Sequence, residues 1–391
     1  MQRDERRRMR LRVPGPTPVP PRVLQALGQQ VIYHRGSEFK ELLNDTAAML
    51  QPLFGTQTAS PIVLTSSGTG ALEAVLANSL RPGDRVLTLD NGHWGARFGR
   101  LATSLGASVE ALSSPWGGGA DADALRRRLS APDGGEFVAV LAAHNDTFTG
   151  AVTDLAAIGD VVRDTSALLV VDAVSSLGCL PIETDAWGLD LVVSASQKGL
   201  MCPPGLALVT ASDKAWTRID QVAARGEYFD LRKAREMAAQ GQASFTPAVN
   251  LVRALHEALR MVHEAGIAET FARQARLGRA LAAGAAHLGL SLYPDADVAS
   301  PCVSVLRTPK GIDAAKIVAT MRDRYGTQIA GARRSPLDGT VIRVGTMGYC
   351  QPDDIRLDVW QLAGSVQEQG QDVDVAAAIA TTERELEGVP A

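Results

Sequence analysis

Long apolar runs are missing from this 391-residue sequence. No stretch approaches the roughly 18 uninterrupted apolar residues a membrane-crossing helix needs, so nothing reads as a span. Cysteine is scarce. Cys179, Cys202, Cys302 and Cys350 lie far apart and form no Cys-x-x-Cys pair, which argues against a zinc site or a disulfide framework and fits a reducing cytoplasm. No charge excess stands out either. The formal net charge is −4 and the isoelectric point near 5.9, which gives no reason to expect nucleic acid or an anionic membrane surface as a partner. Met1 to Arg10 is dense in arginine, but no apolar segment follows it. The stretch is therefore no secretory signal and reads as a solvated arm.

What is present is an ordinary globular composition, 46% hydrophobic and 21% charged. The chain is longer than one hydrophobic core supports, so it is expected to divide: an arm over 1–20, a large domain over 21–260 and a small one over 261–391. Between about 60 and 212, short apolar runs alternate with helix-like stretches. The runs include Pro61 to Ser67, Arg85 to Leu89, Phe137 to Ala143, Ala167 to Val171, Leu189 to Ala195 and Leu206 to Thr210. Most are continuous rather than alternating, the mark of strands buried on both faces of a largely parallel sheet. The pattern predicts an α/β three-layer core. Helical periodicity then dominates Val249 to Leu288, and a smaller α+β section follows, with strands near Val303 to Leu306 and Val341 to Val344.

Three pieces carry chemistry. In Val192 to Leu208, VVSASQKGLMCPPGLAL, an apolar strand runs into Lys198 and a Gly- and Pro-shaped turn. That places the amine at the sheet's carboxyl edge, where ligands bind in open α/β sheets. A desolvated lysine loses its proton readily and can form a Schiff base, although a lone lysine at a strand end also fits simple snorkelling. In LLVVDAVSSL, Asp172 ends an apolar run at the same edge. A protonated pyridine nitrogen would pair with its carboxylate, as would a helix N-terminus or a metal. In Thr65 to Ala74, TSSGTGALEA, small residues after a strand open a helix, and Ser67, Gly68 and Thr69 form a nest of backbone N–H groups suited to a phosphate. Singly, each has an ordinary structural reading. Together and in this order, an imine lysine, a ring-nitrogen acid and a phosphate nest are what pyridoxal 5'-phosphate (PLP) requires.

Further marks extend over nearly the whole chain. They are Val13-Pro14-Gly15-Pro16-Thr17-Pro18, His34-Arg35-Gly36, Asn91-Gly92-His93-Trp94-Gly95, His144-Asn145-Asp146-Thr147, SASQKG with PPG, Phe245-Thr246-Pro247 and Ile342-Arg343-Val344-Gly345. With TSSGTGALEA and VVDAVSSLG, this set resembles the class V aminotransferases, and within them the alanine–glyoxylate and serine–glyoxylate group. The resemblance implies the fold type I architecture of PLP enzymes: a three-layer α/β/α large domain on a mostly parallel sheet, with a smaller α+β C-terminal domain. It implies Lys198 as Schiff-base lysine and proton shuttle, Asp172 as partner of the ring nitrogen, Val174 beneath the ring, Trp94 stacked on its other face, and Thr147 touching it. Gln197, Gly68 and Thr69 would hold the phosphate, and Thr246 would reach it from a partner subunit, which implies a homodimer with shared sites. Arg343 would fork onto the substrate carboxylate.

The implied activity is transfer of an amino group from a small amino acid to a small 2-oxo acid, glyoxylate or pyruvate. This chain departs from the group's pattern at His144-Asn145-Asp146-Thr147-Phe148, where the bulky Phe148 narrows the pocket, and at Thr69, where some relatives carry histidine. Other readings stay open. The tract from Ala299 to Gly311 also resembles the pyridoxamine–pyruvate branch. A class V lyase such as a cysteine desulfurase would use Cys350 as nucleophile, and a non-catalytic α/β ligand-binding protein would keep only the fold. His34, His93 and His144 are further candidates for lining the site.

Overall fold

The computed structural model describes residues 9–333 and 335–388, so most of the arginine-dense stretch, residues 1–8, lies outside it. Seven strands build the central sheet: β1 (Ile62–Thr65), β2 (Arg85–Asp90), β3 (Ser108–Ser113), β4 (Phe137–Ala143), β5 (Leu168–Asp172), β6 (Leu191–Ala195) and β7 (Leu206–Ala211). Across the sheet they run β1-β7-β6-β5-β4-β2-β3. β7 is antiparallel to both neighbours, and every other pair is parallel.

The continuous apolar runs have the expected cause. β5, β6 and β7 are buried at every position, and alternate residues feed two different cores. Leu169, Val171, Val192 and Leu208 point into one cluster, while Leu168, Val170, Leu191, Val193 and Val209 point into another on the opposite face. β3 is the strand the run criterion passes over. It sits at the sheet edge, and none of its six residues is buried, so its sequence SVEALS carries no continuous apolar signal.

After α1 (Gly68–Ser79) and α2 (His93–Ser104), which open next to the sheet's carboxyl edge, the long helices α3 (Val249–Ala265) and α4 (Ile267–Ala286) lead into the C-terminal part. There a second, antiparallel sheet of β8 (Ser291–Leu292), β9 (Val303–Arg307), β10 (Ala330–Gly331) and β11 (Val341–Gly345) runs β8-β9-β11-β10. It packs with α4, α5 (Ala314–Asp323) and α6 (Pro352–Gln367) around a separate core of Leu281, Ile317, Ile342 and Leu362. The tail is ordered as α7 (Val375–Glu387), capped by the Asp374 carboxylate, and Ala378 joins this core. No helix among the described residues is long and apolar enough to cross a membrane.

Residues 10–17 stitch the two parts together. Arg10–Leu11 pairs in parallel with Thr327–Gln328, and the Gly345 N–H donates to the Arg12 carbonyl at 2.7 Å. Arg12 makes a fully buried ion pair with Asp358, 2.6 Å apart. A few residues on, the Thr17 N–H donates to the Gln197 carbonyl at 3.1 Å, next to Lys198.

Candidate active site

The carboxyl ends of β5 and β6, the start of α1 and the inner face of β11 converge on a cavity of about 530 Å³. Eleven residues singled out in the sequence line it: Ser67, Gly68, Thr69, Trp94, Thr147, Phe148, Asp172, Val174, Gln197, Lys198 and Arg343. Thr246 does not. It lines a separate hollow with Tyr228 and Phe245. His34, His93 and His144 are absent from the cavity wall, and so is Cys350. The Cys350 thiol is buried and pushed up to about 11 by that burial, so it offers neither access nor a ready thiolate. All four cysteines are buried and unpaired.

Lys198 leaves β6 on a turn and extends under residues 14–15, where its ammonium donates to the Pro14 carbonyl. Burial holds it below the usual lysine range, against the opposing pull of Asp172. Asp172 is buried at the tip of β5. Its Oδ1 accepts the Val174 N–H at 2.9 Å. Burial pushes the carboxyl up to about 6, although that bond and the charge of Lys198 pull the other way. Among the described residues this acid has no cationic side chain bound to it, and its one hydrogen-bond donor is the Val174 backbone amide.

At the nest, Ser67 caps α1 by accepting the Gly70 N–H at 3.1 Å. Gly68 is a glycine for want of room: a Cβ there would lie 2.9 Å from Val174 Cγ2 and 3.2 Å from Ala195 Cβ. The Gln197 Oε1 is buried with no hydrogen-bond partner. Trp94, in the first turn of α2, is fixed twice. Its backbone N–H donates to Asp146 Oδ2 at 2.7 Å, and its indole N–H to the Thr147 hydroxyl at 2.8 Å.

Arg343 sits mid-strand in β11. Its Nε and Nη2 donate to the Gly331 carbonyl at 3.0 and 2.7 Å, and its Nη1 to the Thr147 carbonyl at 3.0 Å. Burial pulls it down to about 10, a range in which it stays charged at neutral pH. Of a guanidinium's five donors, those three bonds leave two free, one on each terminal nitrogen. That is one fork for one carboxylate.

Several lining residues escaped the sequence reading. Pro14 and Gly15 cover Lys198, and a Cβ on Gly15 would lie 2.4 Å from Lys198 Cδ, at a φ of +100°. Arg97 lies over the Trp94 ring at 5.4 Å and donates to the Thr69 hydroxyl at 3.1 Å. Asp146 stands behind the wall, buried, and also accepts the Phe148 and Thr149 N–H groups. These roles depend on contacts between distant segments. The Val13-Pro14-Gly15-Pro16 tract was visible as a motif, but nothing local says it covers the lysine.

The family model for aminotransferase class-V matches residues 11–331. The chain belongs to the class V aminotransferases. This aminotransferase is 39% identical over 349 residues to the soluble hydrogenase 42 kDa subunit of Anabaena cylindrica, covering 89% of this chain and 90% of that one. It is 34% identical over 339 residues to the L-aspartate–glyoxylate aminotransferase of Paracoccus denitrificans, 86% of this chain and 85% of that one. Its fold matches the crystal structure of ureidoglycine–glyoxylate aminotransferase from Bacillus subtilis with a TM-score of 0.91 at 28% identity, over 97% and 98% of the two chains. The fold is therefore that of the fold type I PLP aminotransferases, with the mostly parallel sheet and smaller α+β part expected. PLP fits what the aminotransferase's cavity leaves unmet: a buried acid bound by no cationic side chain, an orphaned glutamine oxygen, and a glycine-walled helix start.

Proposed function

We propose that this aminotransferase carries PLP on Lys198 and moves the amino group of a small amino acid to a small 2-oxo acid, glyoxylate or pyruvate. The observation that carries the reading is the convergence of Lys198, Asp172 and Arg343, from three strands of two sheets, on one cavity. Glyoxylate, named for relatives from Paracoccus denitrificans and Bacillus subtilis, supports the acceptor. Bound PLP would supply an electron sink for the pair released when the donor's Cα–H bond breaks.

The chain's own residues do the rest. Arg343 orients the donor through its free fork. Lys198, its amine kept accessible in neutral form by burial, takes the Cα proton on one face and would return it two atoms along, to the carbon beyond the amino nitrogen. Asp172 keeps the ring nitrogen protonated. Trp94 and Val174 enclose the ring and exclude water, while Ser67, Gly68, Thr69 and Gln197 hold the phosphate. Thr147, its oxygen already accepting from Trp94, keeps its own O–H for the ring. Thr246, outside its own subunit's cavity, completes the phosphate site of a partner in a homodimer. Four unpaired thiols support a reducing, cytoplasmic setting. The Anabaena relative is named for a hydrogenase, whereas the residues that meet in this cavity are suited to amine transfer.

The test is a visible absorbance spectrum. Purified protein with PLP should show a band that shifts on adding an amino donor and is lost in Lys198→Ala. A donor panel of alanine, serine, glycine, aspartate and pyridoxamine against glyoxylate and pyruvate then names the pair. Protein that stays colourless with added PLP overturns the reading.

A further inference from the structure

Where the donor's carboxylate is expected, three side chains stand in a stack. The Arg343 guanidinium carbon lies 4.0 Å from the centre of the Phe148 ring. His93 stacks on the same ring, with centroids 4.1 Å apart and planes 17° apart. Two groups that close cannot share one face, so Phe148 is sandwiched between them. Its backbone is equally constrained. The Phe148 and Thr149 N–H groups both donate to Asp146 Oδ1, at 2.8 and 3.0 Å. Thr147, one residue before, gives its carbonyl to Arg343. The backbone that carries the aromatic wall is therefore tied to the same bonds that hold Arg343, and the ring itself is packed between the guanidinium and the imidazole.

The consequence is one of charge. Arg343 has two free N–H groups, enough for a single carboxylate. A second carboxylate on the donor would meet the apolar Phe148 ring, which lines the cavity beside the guanidinium, and the ring shuts His93, itself held below its usual range by burial, out of the cavity. The other arginine of the cavity wall, Arg97, is turned to the Thr69 hydroxyl and the Trp94 ring. A desolvated, unpaired carboxylate is costly.

We propose that Phe148 is a specificity-determining residue, which makes the enzyme accept amino donors whose only anionic group is the α-carboxylate and reject dicarboxylic ones. The proposal rests on the aminotransferase reading above and names its donor class. Alanine, serine and glycine belong to the accepted class; aspartate and glutamate do not.

The experiment measures kcat/KM with glyoxylate for L-alanine, L-serine and L-aspartate in wild type, Phe148→Ser and Phe148→Leu, with donor Kd taken from titration of the cofactor's visible band. Wild type should prefer alanine or serine over aspartate by at least about a hundredfold. Phe148→Ser, which admits water to the guanidinium face, should cut that preference to about tenfold or less, chiefly through tighter aspartate binding. Phe148→Leu keeps an apolar wall and should keep the preference, which separates selection from damage to the fold. Wild type that uses aspartate as well as alanine overturns the proposal, as does an unchanged ratio in a folded Phe148→Ser. Either result leaves the cofactor band intact, whereas failure of the aminotransferase reading removes the band itself.

Discussion

Asp172 illustrates how a single residue is tuned by where a strand stops. It is buried at the tip of β5, and burial lifts its carboxyl from 3.8 to about 6. A carboxyl raised in the folded state binds its proton there while the unfolded chain has already released its own. It therefore costs stability as pH rises between roughly 4 and 6, and the penalty is fully present above that window. A shift of this size corresponds to about 3 kcal/mol. In cofactor-free protein, Asp172→Asn should thus gain stability relative to wild type on going from pH 4 to pH 7, and thermal unfolding at both values reads this out. Equal differences at the two pH values would mean the carboxyl is not raised. A protonated pyridine nitrogen removes the penalty in the loaded enzyme, so PLP should stabilise wild type more than the Asn variant. The positions of Lys198 and Asp172 were legible in sequence because Asp172 ends an apolar strand and Lys198 lies three residues past another, and the strand end fixes the address. Gly15, Asp146 and Phe148 were not fully legible, because what they do depends on partners up to some 200 positions away.

At the scale of elements, the nest works because α1 begins against β5 and β6 with no side chain between. Gly68 is the point of closest approach, with Val174 Cγ2 and Ala195 Cβ as its limits. Overpacking at such a point costs about 1–3 kcal/mol, and here the atom that must give way belongs to Val174, the residue proposed to lie beneath the ring. Gly68→Ala should therefore weaken PLP about tenfold or more, measured by titration of the visible band. The effect should exceed any on the unfolding midpoint of cofactor-free protein. If PLP affinity is unchanged, the nest is not where the phosphate sits. Elements were readable in proportion to their burial. β5, β6 and β7 announce themselves by unbroken apolar runs, and α1 by its Ser67 cap. β3 is hidden by its exposure, since an edge strand needs no apolar face. α2, which presents Trp94, has an amphipathic pattern, yet the residue before it, Gly92, has no side chain to cap it.

Taken whole, the molecule is two packed parts joined over their active cavity by the run of residues 10–17, and the joint depends on one buried pair. Arg12 is 2% exposed and Asp358 not at all. Between them they fasten the tract that places Pro14 and Gly15 on Lys198. The solvated reading of Met1 to Arg10 falls mostly outside the described residues, but at its last residue Arg10 is drawn to Asp354 and Asp358, and Arg12 just beyond it to Asp358, carboxylates more than 300 positions away that no local pattern reveals. Removing one member of a buried pair leaves the other charge uncompensated, at a cost of about 3–5 kcal/mol, whereas replacing both by apolar residues of similar volume is often neutral. Asp358→Asn should accordingly lower the unfolding midpoint and also weaken PLP binding, because the cover over Lys198 loosens with its anchor. The double variant Arg12→Met with Asp358→Leu should recover most of the stability. If it also recovers cofactor affinity, the pair serves only to hold the tract in place. Recovered stability with affinity still lost would assign the charge of Arg12 a direct part in shaping the cavity, since packing alone would then have been restored without function.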